Sequence, residues 1–253
     1  NDLQNSGLFK VLPREAFLEQ VRDINQAPRF ADWKAIEARA VVVGRISRLG
    51  DGRLKADFRA WDVLLAKSIA GASYTIPAAT WRRAGHIIAD QVYSKFTGEG
   101  PYFDSRIVFI DESGPKERRV KRLAIMDQDG ANVRLLSQGK ELVLTPRFSP
   151  VAQEICFMQY SGENPRVFLM NLETGQRELV GNIPGMSFSP RFSPDGQRIV
   201  MSIQEQGSGA TFLVEMDLRS KQMRRLTPSN RIDTGPCYSP DGRQIVFESD
   251  REG

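Results

Sequence analysis

From residue 104 onward, apolar and polar positions recur in a fixed order. Ile199-Val200-Met201 is an unbroken apolar run, as expected of a strand buried on both faces. It follows Pro190-Arg191-Phe192-Ser193-Pro194-Asp195-Gly196, in which Phe192 stands between polar neighbours. Ser-Pro-Asp-Gly there encodes a turn, because Pro fixes φ and Gly accepts the positive φ of a tight reversal. The arrangement occurs three times. Pro146-Arg147-Phe148-Ser149-Pro150 leads to Ile155-Cys156-Phe157-Met158, and Pro236-Cys237-Tyr238-Ser239-Pro240-Asp241-Gly242 leads to Ile245-Val246-Phe247. The three prolines that open these copies are 44 and 46 residues apart, the length of a four-stranded propeller blade with its turns.

A further pair of strands also recurs three times. Leu123–Asp127, Val167–Asn171 and Phe212–Asp217 are apolar strands ending in Asp or Asn. Each is followed by a polar or Gly-containing turn and a half-exposed strand, Val133–Leu136, Arg177–Val180 and Met223–Leu226. Ser105–Ile110 fits a second strand, but nothing like P-x-F-S-P precedes it. The pattern therefore predicts three strands of a first blade, two full blades and half of a fourth, with open sheet edges and a tendency to associate through them.

Residues 1–103 do not share the repeat and read as a separate α/β unit, so the expected fold is an N-terminal α/β domain (1–103) followed by a partial all-β propeller (104–253). Asn1–Ser6 reads as the last turn of a helix stopped by Gly7, Pro13 as the start of a short helix through Val21, and Asp32 as a cap for Trp33–Ala38. Ala40–Ile46, Leu54–Ala60 and Ile69–Tyr74 read as strands, with a hairpin at Gly50-Asp51-Gly52. Thr80–Phe96 is the strongest helix: Trp81, Ala84, Gly85, Ile88, Ala89, Val92 and Phe96 share one stripe, capped by Thr80 and stopped by Gly98. Gly85 within that stripe predicts a close backbone approach to a strand.

Charge and candidate chemistry add mostly exclusions. The chain has 253 residues, 40% hydrophobic and 26% charged, which suits a globular protein with no membrane span. Its net charge of +4 lies entirely in residues 1–103, the repeats being neutral. The basic run Lys116–Arg122 has no interleaved aromatic residue and reads as a solvated loop, so no nucleic-acid partner is expected. Cys156 and Cys237 fall on blades that are not neighbours and read as two buried thiols. His86, the only histidine, lies off the helix stripe and reads as a polar surface residue. No G-x-S-x-G, H-E-x-x-H or G-x-x-x-x-G-K motif is present, and no catalytic residue, metal ligand or cofactor is assigned.

Asn5-Ser6-Gly7, Ala40-Val41-Val42-Val43-Gly44, Ala84-Gly85-His86 with Asp90, and Thr97-Gly98, followed by F-S-P-D-G repeats, resemble the TolB family of the Tol-Pal cell-envelope system over essentially the whole chain. The resemblance implies a noncatalytic periplasmic protein with six blades that binds the lipoprotein Pal at one propeller mouth and serves outer-membrane integrity and cell division. It also implies contact with TolA through an N-terminal peptide that, with the first strand, would precede this chain. Colicins can exploit the Pal site, and calcium in the channel is possible with no residue assigned. The repeat alone also fits the noncatalytic propeller of a prolyl-oligopeptidase-type serine peptidase, the alternative reading.

The connections Ser137–Thr145, Gly181–Ser189 and Thr227–Gly235 lead into the inner strands at the mouth opposite the Pro-Asp-Gly turns. Four residues before each Pro stand Leu142, Met186 and Ile232, and one before it Thr145, Ser189 and Gly235. The apolar set either plugs the loops into the blades or forms a partly exposed ring, with small neighbours leaving room for an inserted partner segment. On the second reading Leu144, Ser187, Phe188, Asp233 and Thr234 complete a partner-binding rim.

Overall fold

The computed structural model describes residues 2–251 apart from 163, 182, 184, 208 and 229. The chain divides into two compact units, Asn1–Ser105 and Arg106–Gly253.

In the first unit, β1 (Ala40–Arg48), β2 (Leu54–Asp62) and β3 (Lys67–Ile76) form an antiparallel sheet in that order. The central strand β2 is buried on both sides. Phe58 and Ala60 pack with Val92 of α3 (Trp81–Thr97), while Trp61 joins Val41, Val63 and Trp33 of α2 (Phe30–Ala35). The α3 helix buries more than its predicted stripe. A short α1 (Asp2–Asn5) lies against it, and His86, Asp90 and Tyr93 are buried beside Ala89 and Val92. The reading of His86 as a surface residue is thus corrected: its Nδ1 lies 2.6 Å from Asp2 Oδ2, with both side chains nearly enclosed. Trp81 is exposed instead, and a Cβ on Gly85 would meet nothing, so no close strand approach explains that glycine.

Helix ends also depart from the sequence expectation. Pro13 introduces only a 3-10 turn, Arg14–Ala16, rather than a helix to Val21. Asp32 lies within the first turn of α2, where its carboxylate meets Arg29 Nη2 at 2.7 Å, rather than ahead of the helix as a cap. Thr80 holds the N-cap position of α3, but its hydroxyl donates to the Pro77 carbonyl and makes no cap bond. Gly98 ends α3 at a left-handed φ of 76°.

Among the described residues, the second unit contains four antiparallel sheets. β4 (Arg106–Ser113), β5 (Val120–Asp127) and β6 (Arg134–Leu135) form the first. β7 (Val143–Phe148), β8 (Glu154–Ser161), β9 (Asn164–Asn171) and β10 (Arg177–Leu179) form the second. β11 (Met186–Phe192), β12 (Arg198–Gln204), β13 (Thr211–Asp217) and β14 (Met223–Arg225) form the third, and β15 (Asp233–Tyr238) pairs with β16 (Ile245–Ser249). These are the predicted three strands, two full blades and half blade. The register repeats as well: Ile155 faces Phe148 and Met170, Ile199 faces Phe192 and Met216, and Ile107 faces Met126. The first strands lie against one another, β7 beside β11 and β11 beside β15, as strands lining a propeller axis do.

The apolar core lies between blades. Leu123 and Ile125 pack with Val143, Ile155 and Phe157, and Val167 and Leu169 pack with Ile199, Met201 and Ile203. The third interface differs. Glu215 stands where the earlier blades have Ile125 and Leu169, and accepts a 2.8 Å hydrogen bond from Tyr238 Oη, which stands where they have Phe148 and Phe192. Arg198 and Arg224 complete its pairing at 3.3 and 3.0 Å. Burial and the Glu215 carboxylate together push the Tyr238 phenol well above its usual pKa.

The Pro-Asp-Gly turns are held alike. Arg198 N–H donates to Ser193 Oγ at 2.9 Å and Gln244 N–H to Ser239 Oγ at 3.0 Å, while each serine hydroxyl donates to the turn aspartate at 2.5 Å. Successive turns touch: a Cβ on Gly196 would lie 2.3 Å from Val151 Cγ2, and one on Gly242 would lie 3.4 Å from Pro194. One mouth is thereby edged by these turns.

One amide inside each third strand is also satisfied by a hydroxyl. Leu123 N–H donates to Ser137 Oγ and Leu213 N–H to Thr227 Oγ1, each from the segment following its own blade. In the middle blade that position is Gly181, and Ser187 of the next blade supplies the acceptor for Val167 N–H at 3.0 Å.

Candidate partner-binding site

The residues singled out at the opposite mouth occupy the openings of β7, β11 and β15. Of the connections leading to them, residues 182, 184 and 229 lie outside the described residues. Leu142 and Ile232 immediately precede their strands and are 41% and 47% exposed, whereas Met186 is the first residue of β11, half-buried and paired with Gln204. All three stand at equivalent places on successive blades. Leu144, Phe188 and Thr234, two residues further on, are half-buried.

The intervening residues do not belong to a rim. Val143, Ser187 and Asp233 are equivalent, and all three point into the blades. Asp233, predicted at the rim, is 0% exposed; its carboxylate accepts from Ser249 Oγ and Arg251 Nη2 at 2.7 Å each. Ser187 is enclosed for the same geometric reason, alternation along the strand. Leu142, Met186 and Ile232 flank the buried position on one side, and Leu144, Phe188 and Thr234 flank it on the other.

Small residues before each proline have a backbone cause. Every first strand carries a β-bulge at this point, between Leu144 and Arg147, Phe188 and Arg191, and Thr234 and Cys237. Thr145, Ser189 and Gly235 adopt φ of 49°, 53° and 61° there, a left-handed conformation that bulky side chains resist. Their size is set by that bend in the strand.

Beyond the bulge, the first strands present Arg147, Arg191 and Cys237 at equivalent places. Cys237 is exposed, correcting the expectation of a buried thiol; its cross-strand partner Val246 is exposed with it. Cys156 is buried as expected, and burial pushes its thiol up to about 12. Calcium takes six to eight oxygen ligands. Two guanidinium groups and a thiol do not fit that requirement at this level of the wall.

The first unit has a cleft of about 720 Å³ between β3 and the second half of α3, lined by Gly71, Gln91, Lys95 and Tyr102 among others. In its lining Asp90 accepts backbone hydrogen bonds from Tyr102, Phe103 and Asp104 at 2.7–2.9 Å and so fixes the segment that follows α3. Sequence periodicity missed Asp90 as a structural anchor, since its partners are backbone amides and carry no side-chain signature.

Repeated four-stranded blades preceded by an α/β unit define a propeller protein with an appended domain, and comparison with known proteins narrows this class. Residues 1–69 match the TolB amino-terminal domain and residues 93–253 the TolB beta propeller domain. TolB from Acinetobacter baumannii is 31% identical, with a TM-score of 0.84 over the whole of this chain, which spans 62% of that protein's length. A putative TolB from Agrobacterium tumefaciens is 14% identical, with a TM-score of 0.47 over 83% of this chain and 70% of its own. Oligogalacturonate lyase from Vibrio parahaemolyticus is 15% identical, with a TM-score of 0.44 over 86% of this chain and 61% of its own. The chain belongs to the TolB family, and the amino-terminal match sets aside the peptidase-propeller alternative. Among the described residues, no helix is long and apolar enough to cross a membrane.

Proposed function

We propose that the protein is a noncatalytic periplasmic scaffold of the Tol-Pal system that docks Pal at the mouth formed by the openings of β7, β11 and β15, and thereby serves outer-membrane integrity and cell division. The observation that carries this reading is the exposure of Leu142 and Ile232, with half-buried Met186 between them, at one repeated position on three successive blades. Apolar side chains left accessible at equivalent places on successive blades suit an inserted segment of a partner. Leu144, Phe188 and Thr234 flank them, and Thr145 and Ser189 hold the left-handed positions of the bulges. Colicins that reach the same mouth would compete with Pal, and TolA would be met by an N-terminal peptide outside residues 1–253. The reading requires no cofactor.

Met186 is the discriminating position because it is only half-buried. Met186→Asp is expected to weaken Pal binding by more than about 2 kcal/mol while leaving the melting temperature unchanged. Calorimetry and a thermal melt on the same sample check both halves; unchanged affinity, or loss of affinity with unfolding, returns Met186 to the blade interior and removes this site.

A further inference from the structure

Beyond the bulges, Arg147 and Arg191 occupy the same register position on adjacent first strands, Arg147 opposite Cys156 and Arg191 opposite Val200. They take the same pose: Arg147 Nη1 donates to the Pro146 carbonyl at 3.1 Å and Arg191 Nη1 to the Pro190 carbonyl at 3.0 Å. Among the described residues, neither has a carboxylate within ion-pair distance, although other arginines in the blade of Arg191 find one, as Arg198 and Arg224 do on Glu215. Arg147 is partly desolvated, and burial followed by the like charge of Arg191 lowers its pKa from the ordinary arginine value. Two neighbouring guanidinium groups held at the axis, repelling each other and each with further N–H donors to offer, suit a shared oxyanion.

We propose that Arg147 and Arg191 form an oxyanion-binding pair on the axial wall of the propeller, accepting a carboxylate or phosphate group. The guanidinium fork matches either anion with paired N–H donors, and a partly desolvated wall strengthens such bonds over their strength in water. The ligand neutralises the repulsion between the two side chains. Cys237, at the equivalent position of the next blade, interrupts what would be a third member of the set. This pair lies deeper along the strands than the apolar opening residues and does not depend on the docking of Pal.

The experiment is calorimetric titration with inorganic phosphate and, separately, with an amidated tetraglutamate peptide, at constant ionic strength, on the wild-type protein and the Arg147→Gln, Arg191→Gln and double variants. Each single substitution is expected to weaken binding about tenfold, the loss of one charge-assisted hydrogen bond, and the double variant to abolish it. Melting temperatures in chloride should stay level or rise, because a like charge has been removed. Binding of phosphate alone assigns the pair to a free anion, and binding of the peptide assigns it to acidic side chains; both support the proposal. Cys237→Arg should tighten binding, a gain that misfolding does not imitate. Absence of binding by the wild type, or equal binding by the double variant, overturns it.

Discussion

Glu215 and Tyr238 show how one residue change in a repeat is answered by another across the next interface. The first two interfaces set Ile125 and Leu169 in the places of Glu215, with Phe148 and Phe192 in the places of Tyr238. A buried carboxylate costs stability unless its oxygens are bonded, and the added phenol hydroxyl with Arg198 and Arg224 satisfies them. Tyr238→Phe should therefore destabilise the protein by about 1.5 kcal/mol, the scale of a hydrogen bond to a charged group. Adding Glu215→Leu should restore most of that, because the arginines reach solvent and the pair becomes the apolar one found in the earlier blades. Chemical denaturation of both single variants and the double variant checks this; simple additivity would show that the two positions are uncoupled.

The element most plainly encoded is the Ser-Pro-Asp-Gly turn. In two of the three copies the serine hydroxyl and a backbone N–H bond the aspartate, and these bonds hold the Asp195 and Asp241 carboxyls below their ordinary values. A carboxylate with a depressed pKa in the folded state adds stability above the unfolded value, about 3.9, and that contribution disappears as pH falls through the folded value. Asp195→Asn should lower the melting temperature at pH 7 and converge with wild type in strong acid, as thermal melts over pH 2–7 would show; a constant difference across that range would assign the effect to something other than the carboxylate. These turns, and the strands they join, were legible because a 44- to 46-residue repetition aligns each strand with its counterparts. His86 and Cys237 were misread for a different reason. The burial of His86 is decided by a partner distant in sequence, Asp2 of α1, and the exposure of Cys237 goes with that of its cross-strand partner Val246. Likewise, the small residues at 145, 189 and 235 suggested room for an inserted partner segment until their positive φ gave a backbone cause. The exposure of Leu142 and Ile232 followed from their place before the strands, whereas the burial of Asp233 needed the alternation that the bulge resets.

At the scale of the whole molecule, the two-stranded sheet of β15 and β16 differs from the others. Val246 in β16 is 71% exposed, while its counterparts Cys156 and Val200 are 0% exposed inside complete blades. An apolar strand with one unpaired edge is a template for another strand. The chain of 253 residues is therefore expected to self-associate with concentration, and Val246→Lys to suppress this; light scattering over a dilution series that shows a strict monomer in the wild type would count against it. The hydroxyl that Ser187 extends to Val167 has a consequence in time rather than in space. The first and third blades close their third-strand amides with residues that follow directly, but the second has only Gly181 there and must borrow from its successor. As the chain emerges from its N-terminus, this amide of the second blade lacks its acceptor until β11 begins, so the second blade is completed together with the third.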